Sequence, residues 1–352
     1  MRSSGRGVSR RRLLQGGAAF AGAWALGRSV PASEREPSER PTLVVLWLNG
    51  GPAGLFNSAD SFLQSGAFGV RPDNVRSLGN GLFVDAGSFG ALPDAALSHM
   101  ASINFRHGIV RPHDHARAAV LEDGPRSRLL RLAALMPEAP LRCAVVNDLG
   151  LPVGVVVNPP AEGSAALGSV RDVTDVARPL GVRRADAIRA ASGVASGRTA
   201  VDDQRSTFAA VEMLVHAGTS VIFAQPAYTG RTDRQFDTHG DETGAAAREV
   251  MAPITPSLAT FLGRVLALPD RNVVTVLTGE FSRTTAQSDH EPGGTATVVG
   301  KYVRTGTAGP QRTDGAPPEQ APPPEGLWAY AAAALRLGGS PFGPNPNPEL
   351  VV

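Results

Sequence analysis

Apolar residues in this chain fall into two alternating kinds of run. Residues 42–48, Thr42-Leu43-Val44-Val45-Leu46-Trp47-Leu48, are almost wholly apolar, rich in β-branched and aromatic side chains, and end in Asn49-Gly50-Gly51-Pro52. A run without polar alternation suits a strand buried on both faces, as at the centre of a parallel sheet. Similar runs recur at 103–110, 143–146, 220–224 and 273–278. Residues 91–100, 126–136, 201–217, 243–268 and 328–337 instead repeat apolar positions every three or four residues, the spacing of a helix with one buried face. Strands and helices in alternation predict an α/β fold, a mostly parallel sheet flanked by helices. Ligands of such sheets bind beyond the carboxyl ends of the strands. Polar residues just after each apolar run are therefore the ones to examine. Two stretches break the pattern. Residues 149–200 mix short extended pieces, Gly and Ala runs and arginines, and read as an insertion or cap. Residues 305–326 are rich in Pro and Gly and read as a surface loop.

The first 32 residues stand apart from this alternation. Ser9-Arg10-Arg11-Arg12-Leu13-Leu14 precedes a mild apolar run at 17–27 and then Val30-Pro31-Ala32. A charged segment, a weakly hydrophobic segment and small residues at a cleavage point make a targeting signal. The paired arginines resemble a twin-arginine signal, with an ordinary secretory signal as the alternative. The expectation is export through the twin-arginine translocase, cleavage near Ala32, and a periplasmic or extracellular location. Residues 33–41 read as a linker and 42–352 as one domain. The apolar run is too short for a stable membrane span, which needs about 20 residues.

Removing that segment changes the charge balance. It holds six arginines and no acid, so the net charge goes from +2 for the whole chain to −4 for the rest. No basic cluster remains to suggest a nucleic-acid partner. Cys143 is the only cysteine, so no internal disulfide can form, and its apolar setting marks it as a core residue.

Histidines number only seven, which makes their placement informative. Asp237-Thr238-His239 lies after the fourth apolar run, and Asp289-His290 after the fifth. Carboxylate oxygens and imidazole nitrogens are standard ligands for a divalent metal. The alternative for the first group is helix capping, which Asp241 and Thr243 could supply alone. Glu280 at a strand end could be a ligand or base, and Arg283 could hold an anion through bidentate hydrogen bonds. A structural Glu280–Arg283 ion pair is the alternative. His113-Asp114-His115-Ala116-Arg117 opens a helix, whose N-terminus attracts anions; there Asp114 could be a simple cap. His115 is the candidate ligand and Arg117 a candidate anion contact. His99, His107 and His216 read as structural. Ser58, Ser88, Thr238 and Ser282 are candidate nucleophiles by position alone.

Taken together, these motifs resemble an exported family known as domain of unknown function 1501. The carriers are an apolar strand ending in Gly-Gly, Asp237 to His239, Glu280-Phe281-Ser282-Arg283-Thr284 in place of the family's Glu-Phe-Gly-Arg-Thr, Asp289-His290, and His115 before a helix. The similarity runs from residue 42 to 338. It implies a relation to the alkaline phosphatase and sulfatase superfamily, a doubly wound α/β sandwich and a divalent-metal site (Zn, Mg, Mn or Ca) cleaving phosphate or sulfate esters. The chain departs from the family after Gly-Gly. Ala53-Gly54-Leu55-Phe56-Asn57 has no acid there, which argues against a second metal. No Cys-x-Pro-x-Arg or Ser-x-Pro-x-Arg element supports a sulfatase-type formylglycine. The expectation is an exported metal-dependent hydrolase of small-molecule or glycan esters. The alternative is a noncatalytic binding protein on the same scaffold, recognising an anionic glycan or a cell-envelope partner.

Overall fold

The structure is a computed structural model that describes residues 39–139, 141–147, 167–170, 182–195, 197–198, 200–226 and 236–352. The export signal, most of the linker and most of the 149–200 insertion lie outside the described residues. The first half contains β1 (Arg40–Trp47), β2 (Val75–Gly79), β3 (Leu82–Asp85), α1 (Asp94–Leu97), β4 (Met100–Arg106), α2 (His113–Leu121), β5 (Glu122–Asp123), β6 (Arg126–Ser127), α3 (Arg128–Ala133), β7 (Cys143–Val146) and β8 (Leu167–Val170). The second half contains α4 (Val182–Ala191), α5 (Gln204–Ala217), β9 (Val221–Ala224), α6 (Ala245–Met251), α7 (Ile254–Val265), β10 (Arg271–Thr278), β11 (Gly293–Val299), β12 (Gly306–Thr307) and α8 (Pro324–Ala334).

Eight strands form the main sheet in the order β12-β4-β11-β10-β1-β9-β7-β8. The pairs β12–β4, β10–β1, β1–β9, β9–β7 and β7–β8 are parallel. Only β11 runs against its neighbours. The mostly parallel α/β sheet expected from the alternation is therefore present, and each of the five apolar runs contributes a strand. Side chains of β1 alternate between two cores. Val44 and Leu46 pack with residues of α4 to α7, and Leu43, Val45 and Trp47 with residues of α2, α3 and α8. Both faces are covered, which is why the strand shows no polar alternation.

The helices differ from their predicted extents for local reasons. The 243–268 pattern is two helices, because Pro253 has no N–H to continue α6. The 91–100 pattern shrinks to the single turn α1, since β4 begins at Met100. Residues 126–127 pair with 122–123 as β5–β6 before α3 starts. Strand β11 has no predicted counterpart: Gly293-Gly294-Thr295-Ala296-Thr297 carries too little apolar bulk to stand out, although the whole strand is buried.

Strand direction places five connections on one rim. Trp47 lies beside Thr278, Leu46 beside Ala224, and Gly293 beside Arg106. The carboxyl ends of β1, β4, β9 and β10 and the amino end of β11 thus face the same way. Among the described residues no helix is long and apolar enough to cross a membrane.

Candidate metal centre

Two glycines let these strand ends close on one another. Gly50 adopts φ +97°, in the left-handed region, and a Cβ there would stand 2.3 Å from Asp237 N. A Cβ on Gly279 would stand 2.4 Å from Leu48 O. The backbone seals the approach: Phe236 N donates to Asn49 O at 2.8 Å. Thr238 Oγ1 and Ser288 Oγ share a hydrogen bond of 3.2 Å, and Gly240 N donates to Gln287 O at 2.7 Å.

Arg283 ties these segments from within. Its side chain is 0% exposed. Nε donates to Gly51 O at 2.9 Å and Nη1 to Ser288 O at 3.0 Å. Nη2 donates to Phe236 O at 2.8 Å, to Asp237 Oδ1 at 2.9 Å, and to Gly50 O. The anion contact expected of Arg283 is corrected by this arrangement. Its guanidinium is spent on four backbone carbonyls and one carboxylate and presents nothing to solvent. Nor is it paired with Glu280 among the described ion pairs; its partner is Asp237.

Around Asp237 stand three imidazoles. His290 Nε2 lies 3.3 Å and His239 Nε2 2.9 Å from Oδ1, and His113 Nε2 lies 3.6 Å from Oδ2. Asp289 Oδ1 is 3.5 Å from His239 Nδ1 and accepts from His290 N at 2.8 Å. Phe281 stacks under His290, with centroids 4.3 Å apart and planes at 10°. Burial would raise the Asp237 carboxyl, but hydrogen bonds from His290 and Arg283 and the charge of Arg283 hold it well below the usual carboxylate range. His239 is lowered, first by burial, with Arg283 and His290 adding to the shift. Asp289 is lowered, first by the His290 backbone N–H.

The outer nitrogens of two of these rings are already committed. His290 Nδ1 lies 3.1 Å from Val110 O, and a carbonyl only accepts, so Nδ1 carries the hydrogen. His113 Nδ1 lies 2.7 Å from Glu280 Oε1 and donates to it. Glu280 is fully buried, and Oε1 also accepts from Gly50 N at 3.0 Å. Both Nε2 atoms therefore turn toward a carboxylate. A cation between these nitrogens and Asp237 would be within reach of all three. Imidazoles anchored by a carbonyl and a carboxylate are the usual surroundings of a metal-binding histidine.

The donor set fits a divalent cation. His113, Asp237 and His290 form one group, and His239, Asp289 and His290 another, with the ligand atoms of each within 4.8 Å of one another. Bonds of about 2.0–2.2 Å to tetrahedral zinc separate neighbouring ligands by roughly 3.3 Å; His290 Nε2 lies 3.3 Å from Asp237 Oδ1 and His113 Nε2 3.6 Å from the other oxygen, Oδ2. Glu280 Oε2 is buried without a hydrogen-bond partner, a sign of uncompensated negative charge at the base of the site.

Asp237, His239, Glu280, Asp289 and His290 thus meet, as the sequence led one to expect. His115 does not. It is exposed on α2 and belongs to neither group, and His113 takes its place. Arg117 is part-buried on the same helix and forms no ion pair among the described residues. Asp114 does not cap α2, which has no side-chain cap. Asp241 does cap: its Oδ2 accepts from Ala247 N at 2.9 Å. His107 Nε2 donates to Glu280 O at 2.7 Å and its Nδ1 accepts from Ile109 N at 3.1 Å, so it braces the Glu280 backbone, and burial lowers its pKa. The four candidate hydroxyls, on Ser58, Ser88, Thr238 and Ser282, are all buried and hydrogen-bonded within the protein. Cys143 is buried, which pushes its thiol up to about 12.

No protein-family model matches the chain, and no curated protein matches it. Among solved structures, the chain is similar to a lipoteichoic acid synthase LtaP from Listeria monocytogenes, at 11% identity and a TM-score of 0.39, over 87% of this chain and 75% of that one.

Proposed function

We propose that this chain is a metal-dependent hydrolase of phosphate or sulfate esters that works outside the cytoplasm after export by the twin-arginine route. One observation carries the reading: the Nε2 atoms of His113 and His290, their outer nitrogens already engaged, face a single carboxylate, Asp237. The motif resemblance to the exported family supports it, and so does the position of the cluster at the carboxyl rim of the sheet. A divalent cation held by His113, Asp237 and His290 would supply Lewis acidity toward an ester oxygen and would make water more acidic.

The remaining steps belong to the chain's own residues. Glu280 fixes the ring of His113. His239, half-exposed and with its pKa lowered, stays neutral near pH 7 and can accept a proton from an attacking water. Water is the nucleophile because the candidate hydroxyls are buried and engaged. Arg111, exposed beside Asp289, and Arg117 on α2 provide positive charge for an anionic ester.

The second reading, a noncatalytic exported binding protein, is favoured by the burial of Arg283, which leaves no anion clamp inside the cluster among the described residues. The two part on one assay. The full chain loaded in turn with Zn, Mn, Mg and Ca is offered aryl phosphates and aryl sulfates. Hydrolysis that falls about 100-fold in His113→Ala and holds within about two-fold in His115→Ala is expected. Tight metal binding without turnover of either ester class supports the binding reading instead.

A further inference from the structure

The two candidate ligand groups share a residue. His290 belongs both to the His113–Asp237 group and to the His239–Asp289 group. It has one nitrogen to give, because Nδ1 is bonded to Val110 O. A two-metal site places its ions about 3.5–4 Å apart, each with its own ligands and commonly a carboxylate between them. Among the described residues Asp237 is the only carboxylate that faces all three imidazoles, and it is poorly placed to bridge. Its Oδ1 already takes the hydrogen bond from Arg283 Nη2 at 2.9 Å, so a buried guanidinium stands where a second cation would bind.

We infer that the cluster binds one divalent ion, not a pair, with an inner seat at His113, Asp237 and His290 and an outer seat at His239, Asp289 and His290 that can be filled only in alternation with it. The inner seat is the resident one. It lies deeper and has Glu280 behind His113, whereas His239 and Asp289 are half-exposed. The outer pair serves as an entry station through which an ion reaches His290 and then passes inward.

This inference rests on the metal-site reading of the proposed function, and one titration separates the two. The full chain is stripped with a chelator and titrated with Zn²⁺ by calorimetry, and bound metal is counted by atomic emission. One equivalent is expected. Two equivalents overturn the single-ion inference and leave the metal site standing. No binding at micromolar zinc overturns the metal site and, with it, this inference. Variants then assign the seats. His113→Ala, or His113→Gln should the alanine variant fail to fold by circular dichroism, is expected to weaken binding at least about ten-fold. His239→Ala is expected to retain one equivalent with a smaller loss of affinity and a slower association rate. The opposite order of losses overturns the assignment of the inner seat.

Discussion

Glu280 has no exposure to water, a costly place for a carboxylate unless its partners hold it there. Its partners are the Gly50 N–H and the Nδ1–H of His113. Its work is therefore on His113: it fixes the tautomer and aims Nε2 at Asp237. Replacing Glu280 by Gln keeps the shape and removes the charge. Zinc affinity is expected to fall about 10–100-fold, while the melting temperature of the metal-free protein changes little. Calorimetry on both forms checks this, and an unchanged affinity would make Glu280 merely structural. At this scale the sequence showed four of the candidate ligands, because histidine is scarce and His239 and His290 each stand close to an aspartate after a strand. It also held the means to choose between His113 and His115. The buried residues of α2 include Ala116 and Val120, three and seven positions after His113, so helical spacing puts His113 on the inward face and His115 outside it. The role of Arg283 was not legible. A sequence displays a guanidinium's charge but not the carbonyls that will use up its donors.

Among the elements, a tie between helices on one face of the sheet makes a separate prediction. Glu212 on α5 is 1% exposed and accepts from Arg264 Nε of α7 at 2.8 and 2.9 Å. His216 Nε2 stands 3.6 Å away, and Arg184 of α4 donates to His216 Nδ1 at 2.6 Å. Burial pushes the Glu212 carboxyl up, but the hydrogen bonds from His216 and Arg264 and the charge of Arg264 bring it below its ordinary value of 4.5. A carboxyl depressed by folding contributes stability that is complete above that ordinary value and is lost as pH falls through the lowered one. Glu212→Gln should cost about 1.5–3 kcal/mol at pH 7, the range for hydrogen bonds to a charged group. It should also flatten the fall in stability as pH drops below the ordinary carboxyl value of 4.5. Urea unfolding at a series of pH values reads both effects, and parallel curves for the two proteins would count against the tie. The apolar runs made five of the eight strands of the main sheet readable because both of its faces are dry. Strand β11 escaped notice because its neighbours, not its own side chains, keep it buried.

At the scale of the whole molecule, the site is a product of strand order. Gly50, His113, Asp237, Glu280 and His290 are spread over most of the chain, yet they follow or precede β4, β11, β10, β1 and β9, which are consecutive neighbours in the sheet. The alternation of strands and helices was visible in the sequence, but the order of the strands was not. That order rests on pairings between residues far apart in the chain, such as Trp47 with Thr278 and Gly293 with Arg106. The consequence can be measured. On the metal-site reading, the unfolded chain scatters the candidate ligands and binds an ion weakly, and the folded chain assembles them. A ligand that binds only the folded state stabilises it according to its concentration relative to Kd, by about 2.7 kcal/mol at a hundred-fold excess over Kd. For a domain of this size such a gain raises the melting temperature by several degrees. Zinc should therefore raise the melting temperature of the full chain, and a chelator should reverse the rise. At the same zinc concentration the shift should shrink to about half or less in His113→Ala, for a loss of affinity of about ten-fold or more, and persist in His115→Ala. Zinc that binds but leaves the melting temperature unmoved would mean that the ion finds its ligands equally well in the unfolded chain, and that the sheet's rim does not assemble the site.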